Sequence, residues 1–124
     1  MKKLNQFVKF LFEDFSRGKV YRVTGVRPWL DFTTKELLGT KVEVIVAEDN
    51  TVYDTKNGET VTNLYEKLSF KIKKDVHIPV NARVIPVNPV AVVYGEYRNQ
   101  LSVTADDIKV VAPQKVTEAL KPRL

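Results

Sequence analysis

Apolar residues change their spacing once along the chain, near residue 18. Before it, Leu4, Phe7, Val8, Leu11 and Phe15 recur at intervals of three and four, with Lys2, Lys3, Asn5, Gln6, Lys9, Glu13 and Asp14 on the remaining positions. That is the period of an amphipathic helix, here spanning residues 1–17 and closed by Gly18. Phe10 and Phe12 widen the apolar surface beyond one stripe. Three readings follow. The helix caps the end of a barrel, or Leu4, Phe7, Val8, Phe10, Leu11 and Phe12 form an oligomer or partner contact, or the helix lies on a membrane surface. Its few basic residues weigh against the last.

From residue 19 the period shortens to two, with β-branched residues and turn signals at intervals. Residues 19–27 form a first strand, in which Gly25 predicts a bulge. Residues 28–39 are a loop with a helical turn at 34–38, and 41–48 a second strand with Val42, Val44 and Val46 on one face. In residues 64–74, Leu64, Leu68, Phe70 and Ile72 point one way while Tyr65, Lys67, Ser69, Lys71 and Lys73 point the other. Pro79, Pro86 and Pro89 exclude a long helix after it and favour extended edge segments. Residues 90–97 and 101–111 complete five strands. The expected architecture is mostly β: a small five-stranded closed barrel over residues 18–111, an N-terminal amphipathic helix, and a partly ordered tail at 112–124.

A length of 124 residues fits one domain, and 44% hydrophobic with 28% charged residues is a globular composition. The net charge of +5 favours polyanions as partners. The surplus is local: residues 61–100 set Lys67, Lys71, Lys73, Lys74, Arg83 and Arg98 against only Glu66, Asp75 and Glu96. With no cysteine, disulfides and thiolate zinc sites are excluded and a reducing, cytoplasmic setting is expected. Lys9, Glu13 and Asp14 interrupt the first apolar run, so no export signal is read there, and no stretch is long and apolar enough for a membrane-spanning helix.

Catalytic chemistry is thin. His77 has no second His or Cys nearby, the five glycines make neither a Walker loop nor a dinucleotide fingerprint, and Asp106-Asp107 falls on alternating sides of a strand. No enzyme, metal site or cofactor is expected. Binding chemistry is richer, because a sequence-tolerant binder of single strands needs cations that follow phosphates and aromatic faces that stack on bases. Tyr65, Lys67, Lys71 and Lys73 supply both on one face, which otherwise reads as a solvated strand face. Arg22, Arg27, Trp29, Phe32, Lys35 and Lys41 form a second group, unless Trp29 and Phe32 plug the barrel end. Tyr97 and Arg98 add a third near the last hairpin, where alternation leaves only one of Tyr94 and Tyr97 exposed.

The segment Val90-Ala91-Val92-Val93-Tyr94-Gly95-Glu96-Tyr97, followed by Leu101-Ser102-Val103-Thr104-Ala105-Asp106-Asp107-Ile108, resembles the last two strands of an OB-fold, as does the bulged first strand with Gly25. Together with Val87-Asn88-Pro89, these residues are similar to single-stranded-DNA-binding proteins of Gram-positive conjugative elements and phages, including helicase processivity proteins of integrative elements. The resemblance implies non-catalytic single-stranded DNA binding in replication or transfer of a mobile element, with a homo-oligomer and a helicase or relaxase as possible associates. A single-stranded RNA ligand, or an assembly role for the N-terminal helix, are the alternatives. Two departures stand out: a proline-rich connection replaces the helix usual between strands three and four, and Lys121-Pro122-Arg123-Leu124 replaces the acidic tip of housekeeping binders.

Overall fold

The computed structural model describes residues 1–55, 58–97 and 99–111. The tail expected at 112–124 lies outside them, as does Arg98. Seven strand segments build one mostly antiparallel sheet: β1 (Lys19–Leu30), β2 (Leu37–Asp49), β3 (Lys67–Ile72), β4 (Arg83–Val87), β5 (Val90–Tyr94), β6 (Gln100–Ala105) and β7 (Asp107–Val111). Their order is β5-β6-β3-β2-β1-β4-β7, so the pairing has two ends and the expected closed five-stranded barrel is not met as such. The extra segments have local causes. Pro89 has no N–H to donate and Asn88 sits at φ +51°, which separates β4 from β5. Opposite them, Asp106 separates β6 from β7; its N–H donates to the Val87 carbonyl, and the Asn88 amide donates to its carboxylate. The β4·β7 and β5·β6 ladders nevertheless share one register, Val87 facing Asp107 and Val90 facing Thr104.

The bulge expected at Gly25 forms one residue earlier and decides which side chains share a face. Val23 pairs with Val44 and Gly25 with Glu43, leaving Thr24 as the extra residue. Before it, Tyr21 and Val23 are buried; beyond it, Val26 pairs with the buried Val42 and Arg27 with Lys41. Arg22, Arg27 and Trp29 therefore end on the same outer face although their numbering parity differs. The core beneath is Tyr21, Val23, Val42, Val44, Val46, Phe70, Ile72, Val84 and Val103.

The N-terminal segment departs from the expected single helix. A 3-10 turn (Leu4–Phe7) is followed by irregular chain and a short helix, α1 (Phe12–Ser16). Because the break resets the phase, Phe12 is not a partner contact: it is buried, stacked on Tyr21 and edge-on to Phe70. Phe10 and Phe15 pack beside it, and Leu4, Phe7, Val8 and Leu11 are exposed. Three aromatic residues outbid the i, i+4 stripe because they reach a core already lined with rings. Tyr21 shares a 2.6 Å hydrogen bond with Ser16, and burial pushes its phenol up to about 12.

The long connection from β2 to β3 is tied down by a covered ion pair. Lys19 Nζ lies 3.5 Å from Asp49 Oδ1, and neither side chain has solvent exposure. The ammonium also donates to the Phe15 carbonyl and the Thr51 hydroxyl, and lies 4.1 Å from the Phe15 ring centroid. Asp49 accepts from the Tyr53 hydroxyl, the Asn63 and Thr51 backbone N–H groups and the Thr62 hydroxyl. One carboxylate thus fastens both ends of the connection to α1 and β1. Burial pushes the pKa of this carboxyl up, but the hydrogen bonds from Tyr53, Asn63 and Thr51 prevail and hold it well below the usual carboxylate range.

Candidate nucleic-acid interface

Cross-strand register brings cations together that are far apart in sequence. Arg27 faces Lys41, Lys41 faces Lys71, and Lys71 faces Thr104 of β6. Two turns of the pleat away, Arg83 faces Arg22, Arg22 faces Ile45 and Ile45 faces Lys67. The row between holds Gly25, Glu43 and Ser69. Like charges placed opposite one another on a sheet cost stability, roughly 0.2 to 1 kcal/mol per pair. Glu43 relieves part of this by a 3.3 Å contact with Arg27. Among the described residues, Lys41, Lys67 and Lys71 have no ion-pair partner.

A groove of about 960 Å³ runs along these rows. It opens because the parallel pairing of β3 with β6 is confined to Phe70–Ile72 against Val103–Ala105, so that the preceding residues, Lys67–Ser69 and Gln100–Ser102, stand apart. Lys41, Lys67 and Lys71 stand on one bank, Tyr94 and Gln100 on the other, and Leu68 and Leu101 line it between. The two banks together bring positive charge, hydroxyls from Ser69 and Ser102, and one exposed aromatic ring into one cleft.

The sequence-chosen residues fall into distinct groups. Arg22, Arg27, Lys41, Lys67 and Lys71 share the outer face. Tyr65 does not share it by strand alternation: it precedes β3 with φ +68°, donates its N–H to the Val46 carbonyl, and is exposed outside the groove lining. Lys73 lies beyond the end of β3, 3.6 Å from Asp106. Trp29 is half-buried at the end of β1. Phe32 is 91% exposed and plugs nothing. Its turn is ordered by Asp31, whose carboxylate accepts the Thr34 and Thr33 N–H groups, which hold its pKa below the ordinary carboxylate value. Lys35 lies 5.4 Å above the Phe32 ring centroid.

Tyr94 was the residue that alternation could not assign. Both it and Tyr97 are exposed, because β5 stops at Tyr94 and Gly95, at φ +97°, turns the chain before Tyr97. The signal available in sequence was Tyr94's shared parity with Val90 and Val92 beside the small, buried Ala91. No cluster of His, Asp or Glu suited to a metal occurs among the described residues, and no helix there is long and apolar enough to cross a membrane. Comparison with protein-family models, curated proteins and solved structures finds no match.

Proposed function

We propose that this chain is a non-catalytic, sequence-independent binder of single-stranded DNA, acting in replication or conjugative transfer of a mobile element in the cytoplasm. The observation that carries it is the register row Arg27, Lys41 and Lys71, which with Lys67 flanks a groove whose far bank offers Tyr94. A face needed only for solvation gains from mixing its charges; aligned like charges cost stability and suit a phosphate track. The exposed ring favours a single strand, since a duplex keeps its bases stacked on each other.

The same proposal takes the sheet as an OB-type barrel. Counting residues 83–94 as one bent strand and 100–111 as another, their shared register makes them one hairpin. The first then pairs with β1 through Tyr21 and Arg22, and the second runs parallel to β3. Five strands then form a ring, and the groove falls where that fold receives oligonucleotides.

Fluorescence titration with single-stranded DNA, duplex DNA and single-stranded RNA at two salt concentrations tests the reading. Single-stranded DNA is expected to bind most tightly, with affinity falling steeply as salt rises. Preference for RNA would redirect the function to RNA binding, and no binding to any arm would overturn it. Tyr94→Ala is expected to cost roughly 1 to 3 kcal/mol of binding, the worth of one stacked base, while leaving the thermal midpoint within a few degrees.

A further inference from the structure

Native sheets blunt their free edges with charge, proline or bulges, because an unpaired row of N–H and C=O groups recruits further strands. Besides the groove-facing sides of Lys67–Ser69 and Gln100–Ser102, which line the cleft already described, three edges stand free of pairing among the described residues. The edge at β7 carries Asp107 and Lys109, and the outer half of β1, which pairs with β2 alone, carries Arg27 and Pro28. The edge at β5, Val-Ala-Val-Val-Tyr, carries neither charge nor proline. Its outer side chains are largely uncovered, at 65% for Val90, 58% for Val92 and 51% for Tyr94.

We propose that β5 pairs antiparallel with β5 of a second copy of this chain. Unpaired main-chain groups call for a strand as occupant, which a membrane or a helix face does not supply. The strand is also its own complement. With Val92 on the two-fold axis, Val90 lies opposite Tyr94 and Ala91 opposite Val93, so every pair is apolar and no like charges meet. Only this register pairs all five residues, and Pro89 and Gly95 bound it at either end. Antiparallel pairing keeps both copies' outer sides on one face, which sets the two cationic rows on a single continuous surface. The contact does not depend on the nucleic-acid reading.

The experiment uses the full chain without nucleic acid. Sedimentation velocity over a wide concentration range is expected to show a species of twice 14.2 kDa, lost in Val92→Lys with circular dichroism unchanged. In this cysteine-free chain, Val92→Cys is expected to form a disulfide-linked dimer on mild oxidation. Val110→Cys on β7 and Val90→Cys, which lies off the axis, are expected not to link. Dimers that persist in Val92→Lys put the contact elsewhere, for instance on the exposed Leu4, Phe7, Val8 and Leu11, and overturn the proposal. A chain that stays monomeric, with Val92→Cys linking no faster than Val110→Cys, overturns it equally.

Discussion

Replacing Lys41, Lys67 and Lys71 together by alanine is expected to weaken binding of a single-stranded oligonucleotide about 100-fold near 0.1 M salt. Each phosphate contact on a single strand contributes about 0.7 to the slope of log affinity against log salt, so three contacts carry about two decades at that concentration. The slope itself should flatten by about 2. Because these three cations have no ion partner among the described residues and two of them stand directly opposite each other, the variant should be at least as stable as the parent. Lys73→Ala, which removes a cation already engaged by Asp106, should change affinity far less. A loss in Lys73→Ala that reaches a third of the triple variant's on the logarithmic scale would mean that charge alone, and not its alignment along the groove, governs binding.

Asp49→Ala is expected to lower folding stability by about 3 kcal/mol, the lower part of the range for breaking a covered ion pair. The lower part applies because the pair, although closed to solvent, lies beneath a surface connection and not at the centre of the core. The loss arises mainly from stranding the Lys19 ammonium and from freeing the Tyr53, Asn63 and Thr51 donors. Exchanging both partners for apolar residues, Lys19→Met with Asp49→Leu, should recover much of it. The carboxyl is held more acidic in the folded chain than in the unfolded one, so its contribution is complete above about pH 5 and drains away as the pH falls through the acid range. Thermal melts of parent and variant should therefore converge on acidification. A gap that stays constant from neutral pH down to about 3 would show that packing, not ionisation, is what Asp49 supplies.

Much of the sheet was legible because alternation is a local signal. Val42, Val44 and Val46, and Phe70 and Ile72, announce a buried face regardless of which strand lies alongside. What alternation does not carry is pairing. The row Arg27, Lys41 and Lys71 exists only through two antiparallel registers, and nothing within any one of these strands marks it. Tyr65 misled for a related reason: its parity with Lys67 is real in the sequence, but a left-handed backbone at that residue ends the strand's phase before it is reached. At the N-terminus the stripe of Leu4, Phe7, Val8 and Leu11 was a good helical pattern. It lost to Phe10, Phe12 and Phe15 because a helix of one or two turns contributes little by itself, whereas burial against Tyr21 and Phe70 contributes more.

Thr24 makes no buried contact and holds its one side-chain hydrogen bond, to the Glu43 carbonyl, at the surface. Its chemical identity is therefore nearly free, while its presence is not. Remove the residue without replacing it, and Val23 and Gly25 become neighbours in a regular ladder with the pairs they already have, Arg27 still outside and Val26 still opposite Val42, so what is lost is the bend and added twist that the bulge puts into β1. The position stores a bend and not a letter, so at this site the chain should tolerate almost any spelling, while a deletion straightens β1 and leaves each side chain on the face it has.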